Sequence, residues 1–207
     1  MITFHTIGIN DRGTCMINHK YRFIFIHIDK TAGTSLLNAI NPSLTVHSDG
    51  HHYKYKHAGI DYYIKNLENH CEYFKFAFTR NPFDRALSKY FHHFYRPTVG
   101  TIAEKKASKL NFNEWVLQGG LGMFRQQFDY IYMNGNLGID FIGRFENLQQ
   151  DFNIVCDKIG IPHSQLPHVN KSKHKHYTEY YDDETREIVE QKYAKDIEYF
   201  GYKFGED

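Results

Sequence analysis

The chain has 207 residues, of which 41% are hydrophobic and 16% aromatic; that is enough apolar material for a single packed domain over residues 1–207 and excludes wholesale disorder. Its 25 basic and 24 acidic side chains give a formal net charge of +1, which excludes the large basic excess of a protein that coats nucleic acid. Three widely spaced cysteines, Cys15, Cys71 and Cys156, form no CxxC pair, which argues against a zinc knuckle or a disulfide framework and fits a reducing cytoplasm.

The first residues, "MITFHTIGINDRG", lack the charged start and apolar stretch of a signal peptide, and no apolar run approaches the roughly 20 residues that span a bilayer. A cytoplasmic protein with no transmembrane segment is expected. Residues 21–28 predict a strand whose nearly continuous apolar run suits a sheet covered on both faces. A polar hinge, "DKTAGTS", leads into a short helix with Leu36, Leu37 and Ile40 inward, halted by Asn41-Pro42. After a polar loop, a helix is predicted from near Ala58, with Ile60, Tyr63, Ile64 and Leu67 inward. "EYFKFAFT" predicts a second strand, and Pro82 opens a helix with Phe83, Leu87, Tyr90 and Phe94 on its buried face.

"FNEWVLQ" predicts a further short helix. Asn134-Gly135, between "FDYIYM" and "GIDFIGRF", marks a late β-hairpin. "ENLQQDFNIVCDKIGI" predicts a helix with Leu148, Phe152, Val155 and Ile159 inward, ending at Gly160. "DDETREIVEQKYAKDIEYF" predicts one closing helix, with acids in its first turn and Gly201 past its end. Alternating strand, loop and helix give the fold class as α/β, a three-layer sandwich with a mainly parallel central sheet.

The hinge carries the chemistry. A loop that leaves a parallel strand for a helix lies at the carboxyl edge of the sheet, where such folds bind ligands. The helix start offers unpaired N–H groups to an anion. Lys30 adds a charge, Thr31, Thr34 and Ser35 add hydroxyls, and Gly33 allows close approach, so the expected occupant is an oxyanion. A Walker loop requires GxxxxGK before Ser or Thr; here the lysine precedes the glycine, which argues against a nucleotide triphosphatase.

"IHIDKTAGTSL" resembles the 5′-phosphosulfate loop, itself P-loop-like, of sulfotransferases that use 3′-phosphoadenosine 5′-phosphosulfate (PAPS), and "FAFTRNPFDRALSKYF" resembles their 3′-phosphate motif. "DFIGRFENLQQDF", "LPHVNKS" and "DIEYFGYKF" are similar to the carbohydrate-type branch, so the resemblance runs from the first strand to the C-terminus. It implies that Lys30 contacts the phosphosulfate, that Thr31, Ala32, Gly33, Thr34 and Ser35 supply donors, and that Arg80 and Ser88 hold the 3′-phosphate, with Lys171 a further contact. The implied reaction is in-line sulfuryl transfer from PAPS to an acceptor hydroxyl, with a saccharide as acceptor and no metal required. The family usually has proline where Asp29 stands, and an acid beside a phosphate cradle must point away or pair with a cation.

Such a transfer needs a base, and histidine is suited to neutral pH. His57, between the two motifs, is the first choice; His51, His52 and Glu146 are alternatives. His27, inside the first strand, reads as a packed core residue. "HHYKYKH" and "KHKHY" lack the thiolates or spacing of a common zinc site. Two other classes compete with the transferase: a P-loop-like kinase or NTPase, and a non-catalytic nucleotide- or glycan-binding module. Acceptor loops are expected within residues 43–58, 95–125 and 163–180.

Overall fold

A computed structural model describes residues 17–40, 57–94, 109–122, 124–167 and 174–206. In chain order the elements are β1 (Ile17–Asn18), β2 (Phe23–Ile26), α1 (Gly33–Ile40), α2 (Ile60–Asn66), β3 (Phe74–Thr79), α3 (Pro82–Phe94), α4 (Phe112–Leu117), α5 (Phe128–Ile131), β4 (Tyr132–Met133), β5 (Asn136–Leu137), β6 (Phe141–Arg144), α6 (Leu148–Ile159), α7 (Asp183–Lys192) and α8 (Ala194–Phe200). The fold is mixed α/β. Its main sheet runs β1-β2-β3-β6, with β2, β3 and β6 parallel and β1 antiparallel to β2.

All four residues of β2 are buried, so both faces of this strand are covered, as its unbroken apolar run requires. The strand is shorter than residues 21–28 because the Ile28 N–H turns back to the Ile26 carbonyl at 3.0 Å and ends the ladder. In α3 the predicted face is inward at Phe83, Leu87 and Tyr90; the side chain of Phe94 lies outside the described residues. Asn111 and Glu114 form a reciprocal capping box that starts α4.

Two segments differ from expectation. The hairpin turn is where Asn134-Gly135 puts it, with φ 52° and 82°, the left-handed pair of a type I′ turn. Its strands are only two residues each, Tyr132–Met133 against Asn136–Leu137. "FDYI" is helical as α5, and Phe141–Arg144 instead pairs parallel with β3, Phe76 opposite Phe141 and Thr79 opposite Arg144. The closing helix is also broken, at Tyr193. Val189 and Tyr193 pack into an aromatic cluster with α3 and α4, whereas Phe200 and Tyr202 pack into the cluster around the sheet. The break lets one segment serve both.

Among the described residues no helix is long and apolar enough to cross a membrane. Gly143 of β6 is set close against β3: a Cβ there would come within 2.5 Å of the buried Phe78 ring. Gly143→Ala should therefore overpack the sheet and lower stability by about 1–3 kcal/mol, read as a lower urea midpoint. An unchanged midpoint would contradict this close packing.

Candidate functional site

Because β2, β3 and β6 run parallel, their following loops emerge at one edge of the sheet. In the loop after β2, Lys30 and Ala32 have φ of 67° and 64°, while Thr31 between them does not have positive φ. Alternating handedness of this kind turns successive N–H groups toward one side and makes a concavity for an anion. The Ala32 carbonyl accepts from Ser35 N at 2.9 Å and Leu36 N at 3.2 Å, which starts α1. The N–H groups of Gly33 and Thr34 precede these bonds and have no acceptor within the helix.

The hydroxyls divide. Thr31 is fully buried and donates its Oγ1 proton to the Ile28 carbonyl at 2.9 Å, so its side chain braces the loop and only its N–H can serve a ligand. Ser35 is buried and Thr34 half-buried. A Cβ at Gly33 would lie 2.0 Å from His27 Nε2, so the glycine makes room for an imidazole. His27 is a core residue, stacked on Phe25 at 5.5 Å.

Asp29, where the resemblance leads one to expect proline, pairs with cations. Arg85, 1% exposed at its side chain, donates from Nη2 to Asp29 Oδ1 at 2.7 Å and from Nε to the Asp29 carbonyl at 3.0 Å. Lys89 lies 3.6 Å from Oδ2, and the Tyr130 hydroxyl donates to Oδ1 at 3.4 Å. Burial opposes the charge of Asp29, but Arg85, Lys89 and the neighbouring His57 outweigh it and hold its pKa below the usual value. Burial, with the Asp29 charge, pushes the Tyr130 phenol up to about 12, which keeps it a donor. Arg85 and Lys89 share one face of α3 at i, i+4 spacing. Sequence reasoning missed both; the signal was an acid in a hinge expected to hold an anion, which demands a cation nearby.

Arg80 connects the two loops. Its Nη1 donates to the Lys30 carbonyl at 3.3 Å, its Nε donates to Asp84 Oδ2 at 2.8 Å with Nη2 2.7 Å from the same oxygen in an ion pair, and its guanidinium lies 3.9 Å over the Phe145 ring. Two of the five guanidinium N–H groups are thus hydrogen-bonded, those of Nε and one of Nη1. The Arg80 main chain is clamped by the fully buried Gln127, whose Oε1 accepts from Arg80 N and whose Nε2 donates to Arg80 O, both at 2.8 Å. Gln127 N in turn donates to the buried Asp196 of α8 at 2.8 Å. Ser88 is half-buried on α3, beside Lys89.

Among the candidate bases, His57 is exposed and donates from Nδ1 to the His27 carbonyl at 2.8 Å. A carbonyl can only accept, so the neutral imidazole carries its proton on Nδ1 and its lone pair on Nε2. Glu146 is engaged otherwise: Oε1 accepts from Asn81 N at 2.6 Å and Oε2 from the Tyr202 hydroxyl at 3.4 Å. Burial raises its pKa, against the Asn81 N–H and Arg80. His51, His52 and Lys171 lie outside the described residues, as do parts of all three expected acceptor loops. Among the described residues no group of three His, Cys, Asp or Glu side chains could hold a metal ion.

A depressed folded-state pKa makes the Asp29 contribution complete above the unfolded carboxylate value and lost as pH falls through the folded one. Urea midpoints measured from about pH 6 down to about pH 3 should therefore fall less steeply in Asp29→Asn than in the parent. Parallel curves would remove Asp29 from the acid response.

The sulfotransferase family model matches residues 14–203. An uncharacterized protein of Archaeoglobus fulgidus is 28% identical over 107 residues, which is 51% of this chain and 82% of that protein. No solved structure matches the chain significantly. The family match takes in both loops at the sheet edge, the helices they start and the segment that clamps Arg80, and it shows that the chain belongs to the sulfotransferase family.

Proposed function

We propose that this protein is a PAPS-dependent sulfotransferase that transfers a sulfuryl group to an acceptor hydroxyl of a carbohydrate. Membership of the family gives sulfuryl transfer to a hydroxyl-bearing acceptor as the class of activity. The observation that most supports PAPS as donor is the contact of Arg80 with the Lys30 carbonyl, which sets the two anion-directed loops side by side. The residues fit such a donor. The concavity at residues 30–32, the start of α1 and the Lys30 charge suit the phosphosulfate end. The remaining N–H groups of Arg80, with Ser88 along α3, suit the 3′-phosphate. Lys171 is retained as a proposed further contact. The finer fold reading, three layers around a P-loop-like loop, is supported by the complete burial of β2.

When bound, PAPS supplies a sulfuryl group on a phosphate leaving group. Lys30 neutralises the charge that grows on the departing oxygen, an interaction stronger in the transition state than in the ground state. The backbone donors of residues 31–35 fix the anion and restrict its approach. His57 Nε2 takes the acceptor proton, while the His27 carbonyl holds Nδ1–H. Lys30 provides the charge neutralisation, so this route needs no metal. The engaged carboxylate of Glu146 makes it the weaker candidate base.

Calorimetry with adenosine 3′,5′-bisphosphate should show saturable binding; its absence from folded protein would refute the donor assignment. A screen of oligosaccharides and small alcohols with labelled PAPS then tests the acceptor class. Lys30→Ala should fold and lose turnover by a factor on the order of 10²–10³. Full activity in that variant would remove the leaving-group role.

His57→Ala should lower turnover by about 10²–10⁴ and keep bisphosphate affinity. Unchanged turnover would hand the base to another residue.

A further inference from the structure

We propose that Asp29 and Arg85 are positioning residues for Lys30, and that their buried pair sets the backbone angles which aim its ammonium at the transferred group. This rests on the role given to Lys30 above. Lys30 has φ 67°, a conformation that a residue with a side chain adopts only when its surroundings over-determine it.

Its φ and ψ are the rotations of the two peptide units that flank its Cα. Each of those units is held by an arginine. Arg85 Nε binds the carbonyl of the preceding unit, Asp29 O, at 3.0 Å, and Arg80 Nη1 binds that of the following unit, Lys30 O, at 3.3 Å. Two cationic forks on successive carbonyls therefore define the turn at Lys30.

Arg85 is itself immobilised. Nη2 holds Asp29 Oδ1 at 2.7 Å, Nη1 donates to the Arg125 carbonyl at 2.9 Å, and the guanidinium lies 4.0 Å over the Phe124 ring. The Asp29 side chain is what fixes the fork: with Oδ1 on Nη2 and its own carbonyl on Nε, one residue engages two N–H groups of the same guanidinium. Lys89 takes the second carboxylate oxygen at 3.6 Å. The acid is thus neutralised inside the brace and does not repel an incoming anion.

Conversion of PAPS to adenosine 3′,5′-bisphosphate, with water or a fixed mixture of neutral oligosaccharides as acceptor, is measured for the parent, Asp29→Asn, Lys30→Ala and the double variant. Bisphosphate affinity is measured alongside by calorimetry. Asp29→Asn should lower kcat by about tenfold or more and change the Kd for bisphosphate by less than about threefold. In the Lys30→Ala background the same substitution should change kcat by less than about twofold, because residues that act through one group are not additive. An equal loss in both backgrounds would mean a general structural role and overturn the proposal, as would an unchanged kcat in Asp29→Asn. If Asp29→Asn does not fold, Arg85→Lys, which keeps the charge and loses the fork, takes its place in the cycle with the same expected outcomes. Lys30→Ala with the parent rate would defeat the leaving-group reading and this inference together; loss in Lys30→Ala without loss in either brace variant would defeat this inference alone.

Discussion

The ion pair between Asp29 and Arg85 is the contact on which the arrangement of the sheet edge depends. It joins the loop after β2 to α3 through one side-chain and one main-chain bond, from a guanidinium that is almost completely buried. A buried pair is poor evidence for net stability, because desolvation consumes much of what the attraction returns. Its structural effect is of another kind. Removing Asp29 leaves the buried Arg85 guanidinium without its carboxylate beside Phe124 and Tyr193, so loop positions that part the pair are disfavoured. Specific geometry follows from the cost of the alternatives.

A second layer of bonds extends that order to the rest of the edge. Arg80 shares its guanidinium between Lys30 and Asp84, its main chain is held by Gln127, and Gln127 is held by Asp196. Asp196 is fully buried and accepts from two main-chain N–H groups, Gln127 and Phe128, while burial raises its pKa against them. The same carboxylate thereby starts α5, which explains why "FDYI" is helical where the Asn134-Gly135 turn signal pointed to a hairpin strand. A tertiary partner 68 residues away overrode local propensity.

Much of the edge was legible in the chain itself. The continuous apolar run of β2 declared a covered strand, and the small polar hinge declared the turn from that strand into α1; Pro82, the Asn134-Gly135 turn, Gly160 and Gly201 fell where backbone geometry needs them. Those features are local, written in a few consecutive residues. The brace was not legible, because Asp29 and Arg85 are 56 residues apart and nothing near either one names the other. The packing reason for Gly33 was hidden in the same way: the imidazole that requires it sits earlier, on the strand side of the loop. Thr31 looked like a ligand donor because its hydroxyl's true acceptor, the Ile28 carbonyl, is main chain and has no sequence signature.

Asn81 begins α3 by accepting from Phe83 N at 3.2 Å, and its amide nitrogen donates to the carbonyls of Lys203 and Glu206 at 2.9 and 2.8 Å. The helix start that follows Arg80 is therefore fastened to residues 122 and 125 positions further along the chain. During synthesis this fastening cannot form until the carbonyls of Lys203 and Glu206 have left the ribosome. Until then the start of α3 lacks both of these anchors, although β2 and β3 are already made.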